Sequence, residues 1–119
     1  MRLTEAEWSV LEVLWSADRL TLGEIAQALQ QAKGWSKNTV HTYLTRMEAK
    51  ALVCIDRTQK KPYSAAVTRE ECARRERKQL LDKVYGGAAG DLIAAFLKEN
   101  TISQQEATRL KQLLDEMEV

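Results

Sequence analysis

Apolar residues recur at helical spacing along most of the chain, and a hydroxyl-x-x-glutamate signature opens helix after helix. In Thr4-x-x-Glu7 the hydroxyl can accept from the Glu7 amide while the Glu7 carboxylate reaches back to the Thr4 amide. This is a capping box, with Leu3 and Trp8 as its hydrophobic staple. The helix behind it is predicted to bury Trp8, Leu11, Leu14 and Trp15 and to end near Ser16-Ala17-Asp18. Thr21-x-x-Glu24, stapled by Leu20 and Ile25, opens a second helix that runs to about Ala32 and buries Ile25, Ala26, Ala28 and Leu29. Lys33-Gly34 breaks it, Gly34 suiting a left-handed C-terminal position. Ser36 caps a third helix, stapled by Trp35 and Val40, that ends near Lys50-Ala51.

Two helices joined by a short Gly-containing turn form a helix-turn-helix pattern. The third helix has two distinct faces. Val40, Leu44 and Met47, with Tyr43 beside them, form the apolar stripe. Opposite lie Lys37, Asn38, His41, Thr42, Thr45 and Arg46, a face without a carboxylate on which every side chain can donate a hydrogen bond. Such a face suits base edges and the flanking phosphates. The plainer alternative is an ordinary solvated helix face, although such faces usually mix both charge signs. Ser36 and Thr39, at the start of this helix, join the candidate DNA contacts.

Leu52-Val53-Cys54-Ile55-Asp56-Arg57 is β-prone, Thr58-Gln59-Lys60-Lys61 is turn-like, and Pro62-Tyr63-Ser64-Ala65-Ala66-Val67 can return as a strand. The result is a β-hairpin with Arg57, Lys60 and Lys61 near its tip, the wing of a winged helix, placed to lie along phosphate or to reach a minor groove. Alternatively, its lysines merely protect an edge strand. Thr68-x-x-Glu71 then opens a highly charged helix that stops at Gly86-Gly87. An amphipathic helix carries Leu92, Ile93, Phe96 and Leu97, and Ser103-x-x-Glu106 caps a last one carrying Ala107, Leu110, Leu113, Leu114 and Met117. With Leu80 and Val84 these apolar stripes exceed what a thin arm buries by itself. They predict a self-associating surface, or else helices folded back on the N-terminal part of a monomer. The expected organisation is mostly α with a small β-hairpin wing: a winged helix-turn-helix domain over 1–67 and a three-helix dimerisation region over 68–119.

Composition narrows the function. The 119 residues carry a net charge of only +1, which excludes a generally basic coat. From Lys33 to Lys61, however, the seven cations Lys33, Lys37, Arg46, Lys50, Arg57, Lys60 and Lys61 face only Glu48 and Asp56, a local +5 that fits contact through one surface. No run approaches the ~20 apolar residues that span a bilayer, and Met1-Arg2-Leu3-Thr4-Glu5 does not open a signal peptide, so a cytoplasmic protein is expected. Cys54 and Cys72 lack disulfide-framework or metal-ligand spacing and read as small buried apolar residues. There is no glycine-rich phosphate loop, no serine or cysteine with a partnered base and too little His or Cys for a metal site. Neither enzyme activity, a cofactor nor a metal is expected. His41, the sole histidine, is suited to hydrogen-bonding a base or to a pH-dependent contact.

The chain resembles the penicillinase-repressor family, the BlaI/MecI/CopY type of bacterial winged-helix regulators. The resemblance rests on Leu3-Thr4-x-x-Glu7-Trp8-x-Val10-Leu11-x-Val13-Leu14-Trp15, on Thr39-Val40-x-Thr42-x-Leu44-Thr45-Arg46-Met47 and on Lys83-Val84-Tyr85-Gly86-Gly87-x-x-x-x-Leu92. It implies a homodimer that binds a palindromic operator. His41 and Thr42 would read bases, with Lys37, Thr39 and Arg46 on phosphate or base edges. Relatives often have arginine where His41 stands; histidine cannot match arginine's bidentate grip on guanine. In the best-known systems, controlling β-lactam-response genes, a membrane sensor protease signals cutting between an asparagine and a phenylalanine, and the matching pair here is Ala95-Phe96. A copper-responsive branch has a cysteine-rich C-terminus. This chain ends Leu114-Asp115-Glu116-Met117-Glu118-Val119, so copper sensing is not expected. Two rival readings are a winged-helix module that docks on protein, and a DNA-binding regulator released by a small-molecule inducer.

Overall fold

A computed structural model describes residues 3–117; the expectations that touch Met1, Arg2, Glu118 and Val119 lie outside the described residues. Six helices and one hairpin follow in the order α1 (Glu5–Leu14), α2 (Leu22–Lys33), α3 (Lys37–Ala49), β1 (Val53–Ile55), β2 (Tyr63–Ala65), α4 (Arg69–Tyr85), α5 (Ala89–Lys98) and α6 (Gln104–Glu116). Three helices and a hairpin in this order make a winged helix-turn-helix. The chain divides into two compact units, Met1–Glu76 and Arg77–Val119, with the division falling inside α4. Among the described residues no helix is long and apolar enough to cross a membrane.

The helix starts follow the capping chemistry. Thr4 and Thr21 form complete capping boxes with Glu7 and Glu24, and the Ser36 and Ser103 hydroxyls accept from the amides of Thr39 and Glu106. The Thr68 hydroxyl accepts from the Glu71 amide. Gly34 ends α2 in the left-handed region at φ 70°, and Gly86 and Gly87 end α4 at φ 57° and 88°. Two other helix ends use residues with a Cβ. After α3, Ala51 sits at φ 61°, with the Leu52 amide donating to the Met47 carbonyl and the Ala51 amide to the Glu48 carbonyl. After α5, Asn100 sits at φ 56° in the same Schellman arrangement.

The core belongs to the first unit. Val10, Leu11, Leu14, Ile25, Leu29, Val40, Leu44 and Met47 are essentially fully buried, and Leu52, Val53, Tyr63 and Cys72 close around them. Several expectations are corrected here. α1 stops at Leu14, ahead of Ser16–Asp18, with Trp15 as its C-cap. Val10 takes an inner position, whereas Trp8 and Trp15 are half-buried at the edge of the stripe. Their indole N–H groups need partners, and they donate to the Glu12 carboxylate at 3.0 Å and the Val67 carbonyl at 2.9 Å. Ala28 is only half-buried. Cys54 is exposed and only Cys72 is buried. Alternation along β1 turns Val53 inward and therefore Cys54 outward.

The strands are antiparallel, with Val53 opposite Ala65, Cys54 opposite Ser64 and Ile55 opposite Tyr63. They are shorter than the two predicted runs. Leu20 adds a single bridge to β2, since its backbone exchanges both hydrogen bonds with Tyr63.

Candidate nucleic-acid interface

The geometry of α3 follows from its ends and its inner face. Gly34 turns the chain, Ser36 caps the next helix, and Trp35 stacks on Tyr43 at 4.9 Å between ring centroids, with 21° between planes. Val40, Leu44 and Met47 lock the inner face into the core. Lys37, Asn38, His41, Thr42, Thr45 and Arg46 are consequently exposed together, and Thr39 is half-buried. No carboxylate occupies the first turn, so nothing there neutralises the positive end of the helix dipole. Asn38, Thr39, Thr42, Tyr43 and Arg46 line a shallow open depression of about 300 Å³.

The hydrogen bonds on this face refine the expected donor set. The Thr42 hydroxyl donates to the Asn38 carbonyl at 2.9 Å and the Thr45 hydroxyl to the His41 carbonyl at 3.0 Å. These two threonines therefore present acceptor lone pairs and methyl groups outward, and the free donors are those of Lys37, Asn38, His41 and Arg46. Ser36 is engaged as the cap, its oxygen 3.2 Å from the Thr39 amide and 3.0 Å from the Thr39 hydroxyl.

The local charge is also rearranged. Lys50 lies 2.7 Å from Glu7, Arg57 3.6 Å from Glu48 and Lys61 3.3 Å from Glu24. Three of the seven cations of the basic segment are thus matched by carboxylates, two of which lie far away in sequence. Among the described residues Lys33, Lys37, Arg46 and Lys60 have no such partner. Burial pushes the Glu7 carboxyl up, but the hydrogen bond from Lys50, the Thr4 amide and the Lys50 charge together outweigh it and hold the group below its ordinary value.

Arg57, Lys60 and Lys61 all fall on the wing between β1 and β2. Its tip is a compact turn. The Asp56 carboxylate accepts from the Thr58 hydroxyl at 2.6 Å and the Thr58 amide at 3.1 Å, which keeps the Asp56 carboxyl below its ordinary value. Arg19, which sequence reasoning passed over, donates to the carbonyls of Lys61 and Pro62 from the loop between α1 and α2. A lone arginine in a loop carries no periodic signal that could have marked it.

The candidate dimerisation residues sit on the other unit. Leu80 and Val84 of α4, Phe96 and Leu97 of α5, Leu113 and Leu114 of α6, and Met117 beyond it are exposed, while Leu92, Ile93 and Leu110 are half-buried. No residue of α5 or α6 is buried. The Ala95-Phe96 peptide bond lies inside α5, and the Phe96 carbonyl accepts from both the amide and the hydroxyl of Thr101. Among the described residues no three His, Cys, Asp or Glu side chains converge as a metal site would require.

The profile of the family described as Penicillinase repressor matches residues 3–116. The methicillin resistance regulatory protein MecI of Staphylococcus aureus (strain N315) is 28% identical over 116 residues, 95% of this chain and 93% of that protein. The penicillinase repressor of Staphylococcus aureus is 25% identical over 118 residues, 98% of this chain and 94% of that protein. In fold, the chain is similar to the monomeric form of Bacillus licheniformis BlaI, solved in solution in complex with the blaP half-operator. That match has a TM-score of 0.53 at 21% identity and covers 60% of this chain and 88% of the other. With a winged helix-turn-helix at its N-terminus and a family match across nearly its whole length, the chain belongs to the penicillinase-repressor family of transcriptional regulators.

Proposed function

We propose that this winged-helix transcriptional repressor binds a palindromic operator as a homodimer in the cytoplasm, and silences β-lactam-response or related genes by occupying their promoter. The observation that carries the reading is the exposed face of α3: six polar or cationic side chains, no carboxylate, and Lys37 and Arg46 without an ion-pair partner among the described residues. His41 and Thr42 read base edges, Lys37, Thr39 and Arg46 hold phosphate or flanking bases, and the wing adds phosphate contacts. The chain has no catalytic role.

The apolar side chains of α4, α5 and α6 meet those of a second copy. Two recognition helices then enter successive major grooves about 34 Å apart, or a multiple of that. Induction weakens the dimer, through cleavage at Ala95-Phe96 by a membrane sensor protease. The names of the relatives support the link to β-lactam-response genes, and Phe96, which matches the phenylalanine of the family's cleaved pair, supports this route. Because Ala95-Phe96 is helical, the segment has to unwind before a protease can thread it.

The test is a titration of the full chain against the DNA upstream of its own gene at two salt concentrations, with a scrambled duplex as control. Preference for the native duplex by ~10³ or more is expected. His41→Ala should relax that preference, and Lys60→Ala should weaken binding to all sequences alike. Equal, strongly salt-dependent binding to every promoter duplex tried would overturn the operator reading, and no binding at all would favour a module that docks on protein.

A further inference from the structure

The wing is shorter than its function requires. Two strands of three residues each are marginal by themselves, yet the residues that carry its charge lie beyond their ends. Three contacts from outside the hairpin compensate, and they come from consecutive residues. Leu20 pairs with Tyr63 through both backbone groups, at 2.9 and 3.0 Å. Arg19, half-buried beside it, donates Nε to the Lys61 carbonyl at 2.8 Å and an Nη2 hydrogen to the Pro62 carbonyl at 3.0 Å.

The chemistry of that grip is specific. The guanidinium is a rigid planar fork whose donors match two acceptors at once, which a flexible ammonium cannot imitate. Pro62 has no N–H of its own, and its carbonyl already accepts from the Asp56 amide at 2.9 Å across the hairpin. By holding two successive carbonyls the fork fixes the peptide plane between Lys61 and Pro62 and so anchors the end of the turn that carries Lys60. The other wing cations, though exposed, lie beside carboxylates, Lys61 beside Glu24 on α2 and Arg57 beside Glu48 on α3. Among the described residues no carboxylate meets Lys60.

We infer that Arg19 is a positioning residue for DNA binding: it holds the wing so that Lys60 is delivered to a phosphate, and acts on DNA through Lys60 without touching it. This rests on the reading that the wing lies along phosphate. Two of the five guanidinium donors are spent on carbonyls, and the role requires the fork rather than the charge.

The experiment measures operator affinity against salt for the full-length wild type, Lys60→Ala, Arg19→Lys and the double variant, with thermal melts of each. Lys60→Ala should lower the slope of log K against log salt by about 0.9, the value of one phosphate contact. Arg19→Lys should lower it by a similar amount although it keeps the charge, with Tm close to wild type, and the double variant should fall no further. A wild-type slope in Arg19→Lys would overturn the proposal. So would additive losses in the double variant, which would make Arg19 a separate phosphate contact. An unchanged slope in Lys60→Ala, by contrast, would remove the wing reading itself, whatever Arg19 does. A second measurement needs no variant. In the free wild-type chain the Asp56 amide, bonded to the carbonyl that Arg19 holds, should be protected from hydrogen exchange. Exchange there at the rate of an unstructured chain would show a wing that nothing holds, and would overturn the proposal.

Discussion

The two units answer the same sequence signal in opposite ways. Both are built from helices with an apolar stripe. In the first, the stripes of α1, α2 and α3 meet one another, and eight large side chains are almost fully buried. In the second, α5 and α6 bury no residue, and every large apolar side chain recorded as exposed among the described residues, from Leu80 to Met117, belongs to this unit. An amphipathic pattern therefore specifies a face but not its partner. Where the partner lies within the chain, stability is a property of the single molecule. Where it lies outside, stability becomes a function of concentration.

The sharpest way to break this contrast is Phe96→Asp, which places a charge on the α5 face where Phe96 is 41% exposed. The first unit should stay folded, while sedimentation shows monomers and affinity for a full palindrome falls by about 10²–10⁴ through loss of the second half-site's effective concentration. Retained dimers at wild-type affinity would mean that this face is not the contact. A matched pair of truncations comes next. Leu44→Ala should cost about 2–5 kcal/mol in urea unfolding at any protein concentration. Leu113→Ala, at a residue 50% exposed, should cost under about 1 kcal/mol in dilute solution and more as the concentration rises.

A smaller effect is confined to acid. Glu7 is 4% exposed and its folded carboxyl sits below the ordinary value of 4.5. The unfolded chain therefore takes up this proton first as pH falls. The stability Glu7 contributes is complete above about pH 4.5 and is lost as pH drops through the lower folded value. Glu7→Gln should flatten the pH dependence of urea unfolding in that window and leave its slope near neutrality unaltered. The smallest expected effect is a gain. Ala51 holds a left-handed conformation that glycine adopts without a Cβ clash, so Ala51→Gly should stabilise the first unit by about 0.5–1 kcal/mol, read as a rise in the urea midpoint. A loss would show that backbone freedom in the unfolded chain outweighs that relief.

The same contrast explains what could be read from the sequence. Helix starts were legible because capping is local: Thr4 and Glu7, or Thr21 and Glu24, are three residues apart and satisfy each other. Stops at Gly34 and Gly86 were legible for the same reason, whereas the left-handed Schellman turn at Ala51 was not marked, because nothing about alanine announces positive φ. The polar face of α3 was visible as a pattern, but its electrostatics were not. Counting charges between Lys33 and Lys61 omitted Glu7 and Glu24, which reach Lys50 and Lys61 across 43 and 37 positions of sequence. Arg19 escaped for the same reason, acting on Lys61 from 42 residues away. Cys54 differs from the expectation because the alternation Val53-Cys54-Ile55, and not the tendency of cysteine to be buried, decides which way its side chain faces.

That exposed cysteine makes the molecule its own gauge of motion. Cys54 lies open on the wing, whereas Cys72 is 3% exposed on the first turn of α4 and its thiol is pushed up by burial. Only a thiolate attacks an alkylating reagent. At neutral pH one equivalent of label should go on quickly, at Cys54, and the second only when the start of α4 lifts away from the core. The lag between the two, followed by mass spectrometry, reports how often that opening occurs, without a probe having to be engineered into the chain.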